Sequence, residues 1–68
     1  YKKPDFKDFD NSEQRILEYL YKCIEPAHID EIMRNTGMRS SEVSSTILIL
    51  QMKGAVSQHA GNLYSLSI

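Results

Sequence analysis

The chain has 68 residues, 41% of them hydrophobic and 25% charged, which is ordinary globular composition at a size for one small domain. Eight Lys and Arg against nine Asp and Glu give a net charge of −1, which argues against a strongly basic nucleic-acid binder. The longest apolar run, Ile47 to Leu50, is far too short to span a bilayer, and the single cysteine, Cys23, makes neither an internal disulfide nor a Cys-rich zinc site.

No basic-then-apolar leader is present. The chain opens on Tyr1 without Met, so we read it as a piece of something longer. An unpaired cysteine suits a reducing, cytoplasmic compartment. Without disulfide or metal, apolar burial must offset an ordering cost on the order of 100 kcal/mol.

Residues 1–10, YKKPDFKDFD, alternate charge and aromatic side chains with no helical or strand period. They read as a linker or N-terminal arm, with Phe6 and Phe9 able to dock because two phenylalanines are costly to leave in water. The remaining residues, 11–68, read as one domain.

The first helix is expected from Asn11 or Ser12, both capping residue types, with Gln14 three after Asn11. Ile16, Leu17, Leu20 and Ile24 recur at three- and four-residue steps and share a face, while Glu13, Glu18 and Lys22 fall off it. Tyr19 and Tyr21 flank the stripe. Pro26 ends the element by forcing Glu25 out of the helical region. Ala27 to Ile29 form a short extended link. Asp30 is the expected cap of a second helix carrying Ile32 and Met33, closed at Gly37. Ser40 or Ser41 caps a third helix, which runs to about Met52 with Val43, Ile47 and Leu50 inward and stops at Gly54. From Val56 the period changes to alternation, with Tyr64, Leu66 and Ile68 separated by small polar residues around an Ala60-Gly61-Asn62 turn.

Two helices joined by a short Gly-containing turn make a helix-turn-helix, and a hairpin after the second makes a wing. The expected fold is mainly α with a small β-hairpin. It is a winged helix-turn-helix of three helices and a two- to three-stranded wing.

Several segments carry a family likeness. His28-Ile29-Asp30-Glu31-Ile32, Thr36-Gly37-Met38, Glu42-Val43-Ser44-Ser45, and Gly54-Ala55-Val56 followed by Gly61-Asn62-Leu63-Tyr64 are similar, at matching intervals, to segments of one family. From Ile16 to Leu66 the chain resembles the C-terminal winged-helix domain of DprA/Smf, the DNA-processing proteins of natural transformation. The resemblance implies a parent with a Rossmann-like core that binds single-stranded DNA and helps load a recombinase. The winged helix is an accessory to that core, contacting DNA or protein. The chain departs from the family where Arg or Lys often occupy the wing, since it has Ser57, Gln58 and His59. It also has Ile49 where a Glu is common on the third helix, and Ala60 where Pro precedes the turn.

Candidate DNA contacts are Arg39, Ser40, Ser41, Ser44, Ser45 and Lys53 around the third helix, and Gln58, His59 and Asn62 in the wing. From Ser40 to Ile68 the chain holds one Lys and one Glu, so any DNA contact is expected to be weak and accessory. For Ser40 and Ser41, capping and small-surface placement come ahead of DNA contact. Leu48, Ile49 and Met52 lie off the inward stripe and are the candidate protein-interaction or self-association patch. Burial by the wing or first helix is the alternative for Leu48 and Ile49. Cys23 reads as a core or boundary residue and His28 as a strand residue, so no catalytic group, metal site or cofactor is expected. Three readings stand together: an accessory DprA-like module, a fragment of a dimeric winged-helix transcriptional regulator, and a pure protein-interaction module.

Overall fold

A computed structural model of the chain describes residues 6–67. Ile68 and the first five residues of the arm lie outside the described residues. The elements are α1 (Asn11–Lys22), β1 (Ala27–His28), α2 (Ile29–Thr36), α3 (Ser40–Met52), β2 (Val56–His59) and β3 (Leu63–Leu66). The strands form one antiparallel sheet in the order β1-β3-β2. In register, Ala27 faces Tyr64, and Val56 faces Leu66. Three helices against a small sheet make this a winged helix, and the two-residue link before α2 is its third strand.

The core draws on every element. Ile16, Leu17 and Leu20 of α1, Ile32 of α2, and Val43, Ile47 and Leu50 of α3 meet Ala27, Val56 and Tyr64 of the sheet. Met38 and Ala55, in the two connections around α3, close the cluster. Burying each large apolar side chain contributes about 1.5–3 kcal/mol.

Phe6 also belongs to this core, at 5% exposure. The Phe9 N–H donates to the Phe6 carbonyl at 3.1 Å, and the two rings meet edge-on at 6.4 Å. The aromatic arm therefore docks, and packing begins before Asn11.

The helix starts differ from expectation. α1 is capped by Asp10, not Asn11 or Ser12. The Asp10 carboxylate accepts from the Glu13 N–H at 2.8 Å, and the Glu13 carboxylate accepts from the Asp10 N–H at 3.0 Å. A carboxylate at this position also suits the helix dipole. α2 is capped by His28 rather than Asp30: its Nδ1 accepts from the Asp30 N–H at 3.1 Å, and Glu31 accepts from the His28 N–H at 3.1 Å. Asp30 falls inside the helix, in its first turn. For α3 the cap position is Arg39, whose N–H donates to Glu42 at 3.2 Å, while Ser40 already begins the helix.

Two side chains expected on or beside the first helix are also placed differently. Glu13 is buried, at 2% exposure, instead of lying off the apolar face. Ile24 is fully exposed instead of extending the stripe. The helix stops at Lys22 because Cys23 turns extended (ψ 133°), which carries the chain away before another helical turn can bring Ile24 onto the core.

The end of α3 fixes the domain's second half. Gly54 adopts a left-handed φ of 77°, and the Ala55 N–H donates back to the Leu50 carbonyl at 2.9 Å. A β-carbon would strain this backbone, so glycine suits the position. The turn between β2 and β3 places Gly61 and Asn62 at φ 81° and 61°. The Asn62 carbonyl accepts from the Ile29 N–H at 3.2 Å, which ties the wing turn to the start of α2.

Candidate macromolecule-binding face

In a helix-turn-helix the second helix of the motif presents its outward side to a partner. Here that helix is α3. Val43, Thr46, Ile47 and Leu50 point inward and are buried. The opposite side exposes Ser40, Ser41, Ser44, Ser45, Leu48, Ile49 and Met52. Leu48 is 59% exposed, Ile49 44% and Met52 81%. Helical periodicity brings Ser44, Ser45, Leu48, Ile49 and Met52 onto one continuous surface.

Arg39 stands exposed at the N-terminal end of that surface. Its neighbour Glu42 is held as a backbone acceptor, which leaves a carboxylate beside this cation.

Lys53 is placed otherwise. Its Nζ donates to both carboxylate oxygens of Glu13, at 2.9 and 3.1 Å, and lies 5.2 Å from the centroid of the Phe9 ring. The Glu13 side chain is 3% exposed and that of Lys53 46%. The ammonium is thus neutralised by a buried carboxylate under the docked arm. It fastens the end of α3 to the start of α1, and its charge is spent inside the fold.

Two of the wing candidates, Gln58 and His59, are exposed but already bonded to neighbouring side chains. His59 Nε2 bonds the Ser65 hydroxyl at 2.7 Å, Gln51 donates to Gln58 at 3.4 Å, and the Ser57 and Ser67 hydroxyls are bonded. Asn62 sits exposed at the wing turn. The face therefore has two parts: an uncharged α3 surface, hydroxylic then apolar, and a polar wing with no Lys, Arg, Asp or Glu.

Glu13 is the residue that sequence reasoning missed. The signal was present, since Asp10 and Glu13 have the Asp-x-x-Glu spacing of a capping box. Its pairing with Lys53 spans forty positions, which no local pattern reveals. Elsewhere, Cys23 donates to the Tyr19 carbonyl at 3.4 Å at the end of α1, and His28 serves as a cap. Among the described residues, no three of His, Cys, Asp and Glu are grouped to hold a metal ion. No helix among them is long and apolar enough to cross a membrane.

The fold and this face define a winged helix-turn-helix, a module of the DNA-binding type. The family model described as the DprA winged helix domain matches residues 3–62. The chain belongs to that family. No curated protein and no solved structure matches it significantly.

Proposed function

We propose that this domain is the accessory winged-helix module of a DprA-like DNA-processing protein, working beside a separate Rossmann-like DNA-binding core. Its task is docking on protein through the outward face of α3, with DNA contact weak and secondary. The observation that carries this reading is the state of Lys53. With its ammonium on Glu13, Arg39 is left as the one cation among the described residues that borders the α3 surface, and that surface ends in Leu48, Ile49 and Met52. Duplex affinity comes mainly from cations that release phosphate counterions, and this face offers few. An exposed apolar patch beside small hydroxyls is the chemistry of a protein contact.

The same observation disfavours a dimeric transcriptional regulator reading a duplex, which needs base-reaching and phosphate-reaching side chains along α3 and the wing. Ser44, Ser45, Gln58 and Asn62 offer only neutral hydrogen bonds, suited to positioning a strand that another domain already holds nearby.

Anisotropy titrations with short single- and double-stranded oligonucleotides test this proposal. Binding is expected at low salt only, reduced by Arg39→Ala and unchanged by Lys53→Met in folded protein. Tight binding at about 150 mM salt, lost in Lys53→Met, overturns it.

A further inference from the structure

Ser41, Ser45, Leu48 and Met52 are spaced by four, three and four residues, the alternation that lines up one helical seam against a partner helix. All four are exposed. Ser44 and Ile49, also exposed, flank the seam on its two sides. No charged residue occurs from Val43 to Met52.

The seam is graded. Its N-terminal half carries small hydroxyls and its C-terminal half large apolar side chains. A second α3 laid antiparallel about a two-fold axis between positions 46 and 47 sets Ser41 opposite Met52 and Ser45 opposite Leu48 along the seam. Each large side chain of the seam, Leu48 and Met52, then meets a serine, which lets the helices approach closely, while Ile49 lies beside Ile49 of the second copy on one flank. A parallel copy would stack Met52 on Met52 and Ser41 on Ser41, crowding one end and leaving the other open. The antiparallel pairing opposes the helix dipoles, which is favourable.

We propose that α3 is a self-complementary surface that pairs with α3 of a second copy of this chain, antiparallel, across a two-fold axis. The proposal rests on the reading that this face docks on protein, and it names the partner. An isologous contact of this kind needs each patch to be complementary to itself under rotation, and the graded seam meets that condition. One helix pair buries well under the ~800 Å² per partner of a standard interface, so the dimer is weak, with a Kd on the order of 0.1–1 mM. Attachment to a larger assembly would raise its occupancy through effective concentration.

Sedimentation equilibrium over a concentration series, with circular dichroism to verify folding, reads the association. The wild-type domain is expected to show a reversible monomer–dimer equilibrium that salt scarcely weakens. Leu48→Glu, at an exposed position, is expected to keep the fold and remain monomeric. Orientation is read by oxidative crosslinking in a Cys23→Ser background. Mixed Ser41→Cys and Met52→Cys proteins are expected to crosslink to each other, and neither to itself. Self-crosslinking of each single variant would show parallel packing and overturn the proposal. A wild-type domain that stays monomeric throughout also overturns it. In that case the docking reading still stands if Leu48→Glu abolishes binding to an isolated Rossmann-like DprA core, and falls if wild type and variant bind that core alike.

Discussion

Replacing Lys53 with methionine is expected to destabilise the domain, although Lys53 is half-exposed and sits at a helix end. The buried Glu13 carboxylate would keep one backbone donor, the Asp10 N–H at 3.0 Å, and lose both bonds from Nζ. Removing one partner of a fully buried ion pair costs about 3–5 kcal/mol. Here the lysine side chain is 46% exposed, so water can approach the vacated position and the cost falls to about 2 kcal/mol. Losing the cation over the Phe9 ring adds about 0.5 kcal/mol. In a domain of this size each kcal/mol lowers Tm by about 4–8 °C, so a fall of roughly 10–20 °C is expected. Urea unfolding followed by circular dichroism measures it, with the m-value unchanged. The double variant Glu13→Gln/Lys53→Met removes both charges and keeps an acceptor for Asp10. It should be less destabilised than the two single changes summed, with a coupling of about 1–2 kcal/mol. A loss below about 0.5 kcal/mol for Lys53→Met, or strict additivity, would refute the reasoning.

Asp10→Ala removes the α1 cap and is expected to cost about 1 kcal/mol in the same urea assay, whereas Asn11→Ala should cost far less. Ile24→Ser, at a fully exposed position, should shift stability by no more than about 0.5 kcal/mol. Gly54→Ala meets no neighbouring atom but must hold a positive φ, so its cost of about 1–2 kcal/mol is purely backbone strain, visible as a lowered Tm. Burial, then the neighbouring Cys23 and Glu31, holds the Tyr19 phenol above the ordinary tyrosine range. Tyr19 therefore contributes stability that is complete below the unfolded-state pKa near 10 and lost as pH rises through the higher folded value. Spectrophotometric titration should show a late-ionising phenol that Tyr19→Phe removes.

The helix-turn-helix was legible because its punctuation is local. Gly37 and Gly54 stand where α2 and α3 end, and Val43, Ile47 and Leu50 mark the inward stripe by spacing alone. The same spacing left Leu48, Ile49 and Met52 without a core position, and they are exposed. Helix starts were harder. Serines and asparagine compete as caps on residue type, and only the paired geometry of Asp10 with Glu13, or His28 with Glu31, decides between neighbours. Ile24 fitted the helical period, but the period says nothing of where Cys23 leaves the helix. Lys53 was the costliest ambiguity. A lysine after a recognition helix reads as a phosphate contact, and only the fold brings Glu13 and Phe9 to it from the other end of the chain.

The salt dependence of DNA binding bears most directly on whether α3 works through apolar rather than ionic contact. With Arg39 as its charged contributor, log Kobs should fall against log salt with a slope no steeper than about −1, and Lys53→Met should leave that slope unchanged. A slope of about −3 or steeper, made shallower by Lys53→Met, would show several phosphate contacts with Lys53 among them, and would contradict the account.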